Sequence, residues 1–246
     1  MNKSKKCYVA FLDIMGFASF VENETPEKVE NILSEFINSP IPGGDTLNYN
    51  ILSDTIIISV SLELDSGEPK HCMQIQQELQ ILLMTVTHIQ KSSIIGYSGL
   101  PVRGGIAIGD FFIDNEKNIM FGKGLIAAHK IESSLAIYPR IIVDSEILVG
   151  MKKTGDRSYP IKRDFDGLFH VNYLCTLEPT NDGTLMGVYR DWLKKHRDYI
   201  IKNLADEKNI KIATKYHWME AYHNWFCTGY DEYKEYLIGE EEPSKV

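Results

Sequence analysis

Apolar positions follow two rhythms along this chain, one of strands and one of helices. Cys7-Tyr8-Val9-Ala10-Phe11-Leu12 is a run of strand formers that ends on Asp13, and Gly16 allows a tight turn just beyond it. Thr25-Pro26 reads as a helix cap followed by proline at the first helical position, and Val29, Ile32, Leu33, Phe36 and Ile37 share one face of a helix reaching about Ser39. Pro40 to Gly44 is a loop. Two apolar runs, Tyr49 to Leu52 and Thr55 to Ser59, flank Ser53-Asp54 and predict a β-hairpin with Asp54 at its tip. After a break at Ser66 to Pro69, the spacing of Ile75, Leu79, Leu82, Val86 and Ile89 gives a long helix. Val102 to Ile113 is a strand with small residues at Gly104, Gly105 and Gly109, and Ile119-Met120-Phe121 continues the sheet past a turn. The pattern turns helical at Gly122, with Leu125, Ala128, Ile131 and Glu132, before a further strand at Arg140 to Asp144. This order contains the βαββαβ arrangement of a ferredoxin-like α+β fold.

One more strand is expected between Asp164 and Thr176; from Met186 onwards the chain reads as helical, with one helix carrying Tyr189 to Leu204 and another over Ile212 to Phe226. The expected division is a sheet domain over 1–180 and a helical C-terminal extension over 181–246. The last residues, Gly239 to Ser244, are acidic and poor in core formers, so they are expected to fray.

Composition narrows the function. With 246 residues, 43% hydrophobic and 24% charged, the chain can bury a full core. Its net charge of -8 and the absence of a basic block argue against a nucleic-acid partner. No segment approaches the roughly 20 apolar residues of a membrane span, and the short basic start leads to no cleavage site, so a cytoplasmic location is expected. Cys7, Cys72, Cys175 and Cys227 are far apart and read as thiols in a reducing compartment. His217 and His223 lie among aromatics and read as packing rather than zinc ligands.

The chemistry rests on Asp13 and Asp54. Each interrupts a strongly apolar strand, and a ferredoxin-like sheet sets those two strands side by side. Two carboxylates sharing a small volume repel at neutral pH, and a divalent cation removes the conflict. Mg²⁺ or Mn²⁺ held by one or two carboxylates plus substrate phosphates is the usual arrangement in nucleotide chemistry. Two such ions, about 3.5 to 4 Å apart, can serve the attacking and departing oxygens.

Four stretches then resemble, in order, the signature blocks of class III nucleotidyl cyclases. They are Asp13-Ile14-Met15-Gly16-Phe17, Ser53-Asp54, Arg103-Gly104-Gly105-Ile106-Ala107-Ile108-Gly109 and Gly122-Lys123-Gly124-Leu125-Ile126-Ala127-Ala128-His129-Lys130-Ile131-Glu132-Ser133. The match covers roughly Lys6 to Asp144, and the wording around Asp13, Asp54, Arg103 and Tyr138-Pro139-Arg140-Ile141 looks most like the pyrimidine cyclases of Pycsar antiphage systems. The resemblance implies that Asp13 and Asp54 bind two metal ions, Mn²⁺ or Mg²⁺, with the Ile14 carbonyl as a further ligand. Gly16 and Phe17 would offer backbone amides to the triphosphate. The implied reaction converts UTP to 3′,5′-cyclic UMP and pyrophosphate, a second messenger read by a separate effector protein in antiphage defence. The alternatives are a cytidylate cyclase making cyclic CMP, an adenylate cyclase, or a catalytically silent nucleotide-binding regulatory module.

Departures from the family pattern fall on the base and on the helix block. A base-reading lysine or glutamate is often found four residues before the second aspartate, where this chain has Asn50, and the second base-reader falls near Ile119. Both disfavour adenine; Tyr49 or Phe121 either closes a smaller pocket on a pyrimidine or is simply a core residue. Ile126 and Lys130 stand where the family has an asparagine and a transition-state arginine. Lys130 is either that cation's replacement or a solvated helix lysine. Lys123 is either a phosphate contact at a helix N-terminus or a surface lysine. Arg103 is read as a substrate-phosphate ligand or as structural support through a buried carboxylate. The family's centres form between two chains, so a homodimer is implied.

Overall fold

Strand β1 (Lys5–Ile14) runs through the middle of the sheet and divides its side chains by parity. Tyr8, Ala10, Leu12 and Ile14 enter one apolar cluster, while Cys7, Val9 and Phe11 enter another on the opposite face. The computed structural model describes residues 4–38, 46–64, 66–96, 99–149, 156–207 and 209–239. The expected loop at Pro40 to Gly44 and the chain end from Glu240 lie outside the described residues.

Antiparallel neighbours flank β1 on both sides, β3 (Thr55–Ser61) and β4 (Val102–Asp114), and β2 (Leu47–Leu52) pairs with β3. Helices α2 (Pro26–Asn38) and α3 (Cys72–Ile95) supply the two crossovers, which completes the βαββαβ core of an α+β fold as the sequence predicts. Both helices pack on the Leu12 face, where Ile32, Phe36, Leu82, Val86 and Ile89 join Ile56, Ile58 and Val60. Burying each such side chain contributes about 1.5 to 3 kcal/mol. The sheet continues through β6 (Ile141–Val143), parallel to β4, and then β8 (Phe169–Val171) and β7 (Ile161–Arg163); β5 (Ile119–Phe121) folds back on β4.

Helix α4 (Lys123–Leu135) covers the other face of β1 and β4. It sits very close because the sheet beneath it lacks side chains. A Cβ at Gly105 would lie 2.5 Å from the Ala128 carbonyl, and one at Gly109 would lie 2.7 Å from the Gly124 nitrogen.

Three local features differ from the sequence reading. A short helix α1 (Phe17–Asn23) follows Gly16. The strand expected between Asp164 and Thr176 is present but short, β8; it forms a hairpin, turned at Gly167 with φ 84°, with β7 just before that range, and the segment ends in a 3-10 turn at Cys175–Leu177. Helix α5 (Gly183–Asp206) starts three residues ahead of the expected Met186, because the Asp182 carboxylate accepts the Thr184 and Leu185 N–H groups.

The chain divides into two compact units, Met1–Gly155 with Tyr159–Tyr173, and Asp156–Ser158 with Leu174–Val246. The main stretch of the second unit runs from Leu174. Within it α5 packs on α6 (Ile210–Cys227) around Leu193, Ile200, Met219 and Phe226. His196 and His223 meet there through their Nδ1 atoms at 2.9 Å, fully buried, whereas His217 is on the surface beside Glu220. Cys7, Cys175 and Cys227 are buried and Cys72 is exposed. No described helix is long and apolar enough to cross a membrane.

Candidate active site

Parity puts Asp13 on the α4 side of the sheet, next in line after Val9 and Phe11. Its strand partners are Thr55 on β3 and Arg103 on β4. The hairpin tip is fastened beside it: the Ile14 N–H donates to the Asp54 carbonyl at 2.9 Å. Ser53, in the left-handed region at φ 59°, turns the chain from β2 into β3 and delivers Asp54. Two carboxylates far apart in sequence thus reach one end of the sheet.

Their surroundings are unequal. Oδ2 of Asp13 accepts from Nε of Arg103 at 2.8 Å, and Nη2 of the same guanidinium lies 2.8 Å from Oε1 of Glu132. That second contact is an ion pair off the line of a directed hydrogen bond. Nη1 donates to the Ala136 carbonyl at 3.3 Å. All three Arg103 nitrogens are therefore engaged by protein groups, an arrangement of structural support, and no nitrogen is left over for a phosphate. Burial pushes the Glu132 carboxyl above the usual range; Arg103 opposes that, while Asp13 and Asp54 add to it. Asp54 is half-buried, and among the described residues its carboxylate has no hydrogen bond or ion pair.

The donor set suits a hard divalent cation. Asp13, Asp54 and the neighbouring Ile14 carbonyl offer oxygen alone. Among the described residues no group of three or more His, Cys, Asp or Glu side chains is disposed to hold a metal ion. The protein's share of ligands is then small, as is usual for Mg²⁺ completed by phosphates and water.

Other predicted site residues fall into two sets. Asn50, partnered with Ile57, lies on the Asp13 face of the sheet, and its amide has no hydrogen bond among the described residues. Gly16, at φ 81°, caps α1, and Phe17 turns its ring into the core, leaving only its backbone toward the turn. Tyr49 points the other way, into the core under α2 and α3, so it does not close a pocket beside Asn50. Phe121 stacks on Phe112 at 4.9 Å and is 56% exposed. The second set is on α4. Lys123, Ile126 and Lys130 form one exposed stripe, and at about 100° per residue Glu132 lies on the opposite side. Neither lysine has an ion pair among the described residues, and no contact joins either to Asp13 or Asp54.

Glu132 is the residue that sequence reasoning treated only as part of the helix pattern. Its signal was present: an acidic side chain four residues after Ala128, on the apolar face, demands a buried cation.

No family model matches the chain, and no curated protein matches it. Among solved structures it is similar to the monomeric guanylyl cyclase domain of the RhoGC fusion protein from the aquatic fungus Blastocladiella emersonii, at 11% identity and TM-score 0.48, covering 69% of this chain and 96% of that one. A second is the guanylate cyclase domain of RhGC from Catenaria anguillulae in complex with GTP, at 14% identity and TM-score 0.45, covering 68% and 95%. A third is a bacterial light-regulated adenylyl cyclase, at 12% identity and TM-score 0.42, covering 78% and 57%. These overlaps are loose, and the chemistry assigned to this chain rests on its own residues.

Proposed function

We propose that the chain is a nucleotidyl cyclase of the class III type, acting on a pyrimidine triphosphate, with UTP preferred over CTP. The ribose 3′-oxygen bonds to the α-phosphorus, the bond from that phosphorus to the β-phosphate oxygen breaks, and pyrophosphate leaves with the 3′-hydroxyl proton passing to solvent. The observation that carries the reading is the register of β1 against β3, with the Ile14 to Asp54 hydrogen bond, which puts Asp13 and Asp54 at one sheet end. Asp13, Asp54 and the Ile14 carbonyl would hold Mn²⁺ or Mg²⁺. Bound there, the ions would favour the ionised 3′-oxygen and spread charge on the departing pyrophosphate.

The chain's own parts position the nucleotide. Backbone amides at Gly16 and Phe17 face the triphosphate. Asn50 both donates and accepts, which suits a pyrimidine edge, and the apolar Ile119 removes the second purine reader. Lys123 and Lys130, exposed and unpaired on the side of α4 opposite Glu132, would serve the site of a second copy, so the enzyme is a homodimer whose product a separate effector reads. A silent nucleotide-binding module is the second reading, favoured by one contact, the Arg103 guanidinium already on Asp13.

The test is incubation of the protein with each of four nucleoside triphosphates and Mn²⁺, with chromatography of the products. Cyclic UMP is expected, and Asp13→Ala and Asp54→Ala should each abolish it while the far-UV spectrum is kept. Purine product alone would refute the pyrimidine assignment, and no product from any triphosphate would leave the silent module.

A further inference from the structure

Glu132 lies at the same sheet end as Asp13 and Asp54 but is not one of the residues that would hold the cation. Its side chain is 6% exposed, on the face of α4 that also buries Gly124 and Ala128. A carboxylate in that position costs several kcal/mol unless a cation answers it, and the answering group is Arg103. The same guanidinium meets Asp13 through Nε, at one carboxylate oxygen only, and its Nη1 is fixed by the Ala136 carbonyl. Arg103 is also the cross-strand partner of Asp13 in the β1 to β4 register, so its backbone cannot draw away. One cation is thus divided between two carboxylates.

Consider the same site with Glu132 uncharged. Arg103 would then have a single anionic partner. A guanidinium with one carboxylate in reach turns to meet it with both prongs of its fork, and the Asp13 charge would be neutralised where the proposed function needs it.

We propose that Glu132 is a positioning residue for the cation site, counter-charging Arg103 so that Asp13 keeps one oxygen and its negative charge available to a divalent ion. Arg103 and Glu132 work as a pair: the arginine orients Asp13, and the glutamate limits how much of its charge the arginine cancels. The inference rests on the reading of Asp13 and Asp54 as metal ligands.

Mn²⁺ affinity of the full-length protein without nucleotide, measured by the electron paramagnetic resonance of free Mn²⁺, tests it together with melting temperature in metal-free buffer. Glu132→Gln keeps the size and an acceptor oxygen but removes the charge, and should weaken Mn²⁺ binding about tenfold. Glu132→Asp keeps the charge but holds it further from the guanidinium, and should weaken Mn²⁺ binding about two- to fivefold, less than Glu132→Gln. A purely structural role would instead lower the melting temperature of Glu132→Gln and leave Mn²⁺ affinity as in the parent, which would overturn the proposal. Should Glu132→Gln fail to fold, Glu132→Asp decides alone: a fall of about two- to fivefold supports the pair, and unchanged affinity overturns it. Asp13→Asn separates the two levels. If the parent protein binds no Mn²⁺ that Asp13→Asn removes, the metal-site reading fails and this inference with it. If it does, and Glu132→Gln matches the parent, only the inference fails.

Discussion

Replacing Gly105 by alanine tests how α4 is seated and whether the seat matters to the site. The new Cβ would meet the Ala128 carbonyl at 2.5 Å and the Ile131 Cβ and Cγ2 at 2.7 Å, where ordinary contact begins near 3.4 Å. The missing clearance is 3.4 minus 2.5, or about 0.9 Å, and a backbone carbonyl inside a helix cannot rotate aside, so the whole of α4 must withdraw. Overpacking of this kind costs about 1 to 3 kcal/mol. For a unit of this size each kcal/mol lowers the melting temperature by roughly 2 to 4 °C, giving a fall of roughly 2 to 12 °C. Trp192, Trp218 and Trp225 all belong to the second unit, so the melt of the first is followed by circular dichroism rather than tryptophan fluorescence. Glu132 and Lys130 move with α4, and a displacement near 1 Å costs roughly a hundredfold in turnover. Cyclisation of UTP should fall by that order while the protein stays folded at 20 °C. Unchanged melting would refute the close seating of α4, and lowered melting with full turnover would refute its coupling to the chemistry.

Two further perturbations address stability. Arg140 is fully buried between the Asp164 and Asp166 carboxylates, with Tyr138 5.2 Å below its guanidinium, so Arg140→Ala takes the buried cation from Asp164, whose other cation Lys162 is 3.7 Å away, and should cost about 3 kcal/mol in urea unfolding; a loss under 1 kcal/mol would show the network to be dispensable. Burial holds His170 and His223 neutral, each lowered from 6.5 to about 4. Each imidazole binds its proton more readily in the unfolded chain, so stability is intact above pH 6.5 and is lost as pH falls from there towards 4, by about 2 kcal/mol per histidine at pH 5. The charges facing them are Asp164, Lys162 and Arg140 at His170, and Arg197 at His223, with His196 in contact. Melting that is flat from pH 8 to 5 would contradict the neutral assignment.

Long patterns were legible in the sequence, and short ones were not. The unbroken runs of strand formers in β1 and β4 and the repeating seam of α3 extend far enough to place them. Helix α1 buries only Phe17, so seven residues carried no periodic signal. Across Asp164 to Thr176 an apparent alternation ran through a turn, because nothing in the spacing distinguishes a strand continuing from one reversing at Gly167. The start of α5 is a polar event, the Asp182 cap, invisible to a search for apolar faces.

The site divides along the same physical line. Asp13 and Asp54 stood out because a charge that ends or splits an apolar strand is expensive without a purpose. The Arg103 contact to Asp13 did not, since it depends on a β1 to β4 pairing that joins residues ninety apart in sequence. Tyr49 and Asn50 show how much rides on register: one residue's shift exchanges core for site. Helix α4 is the hardest case, because amphipathic reading assigns one side to the core and the other to water. Here the core side carries Glu132 toward Arg103 and the water side carries Lys123 and Lys130, so both faces hold charge for different reasons. If the exposed stripe were ordinary solvated surface, Lys130→Ala would leave turnover unchanged. A contact made chiefly in the transition state, across two copies of the chain, lowers kcat instead and spares substrate binding.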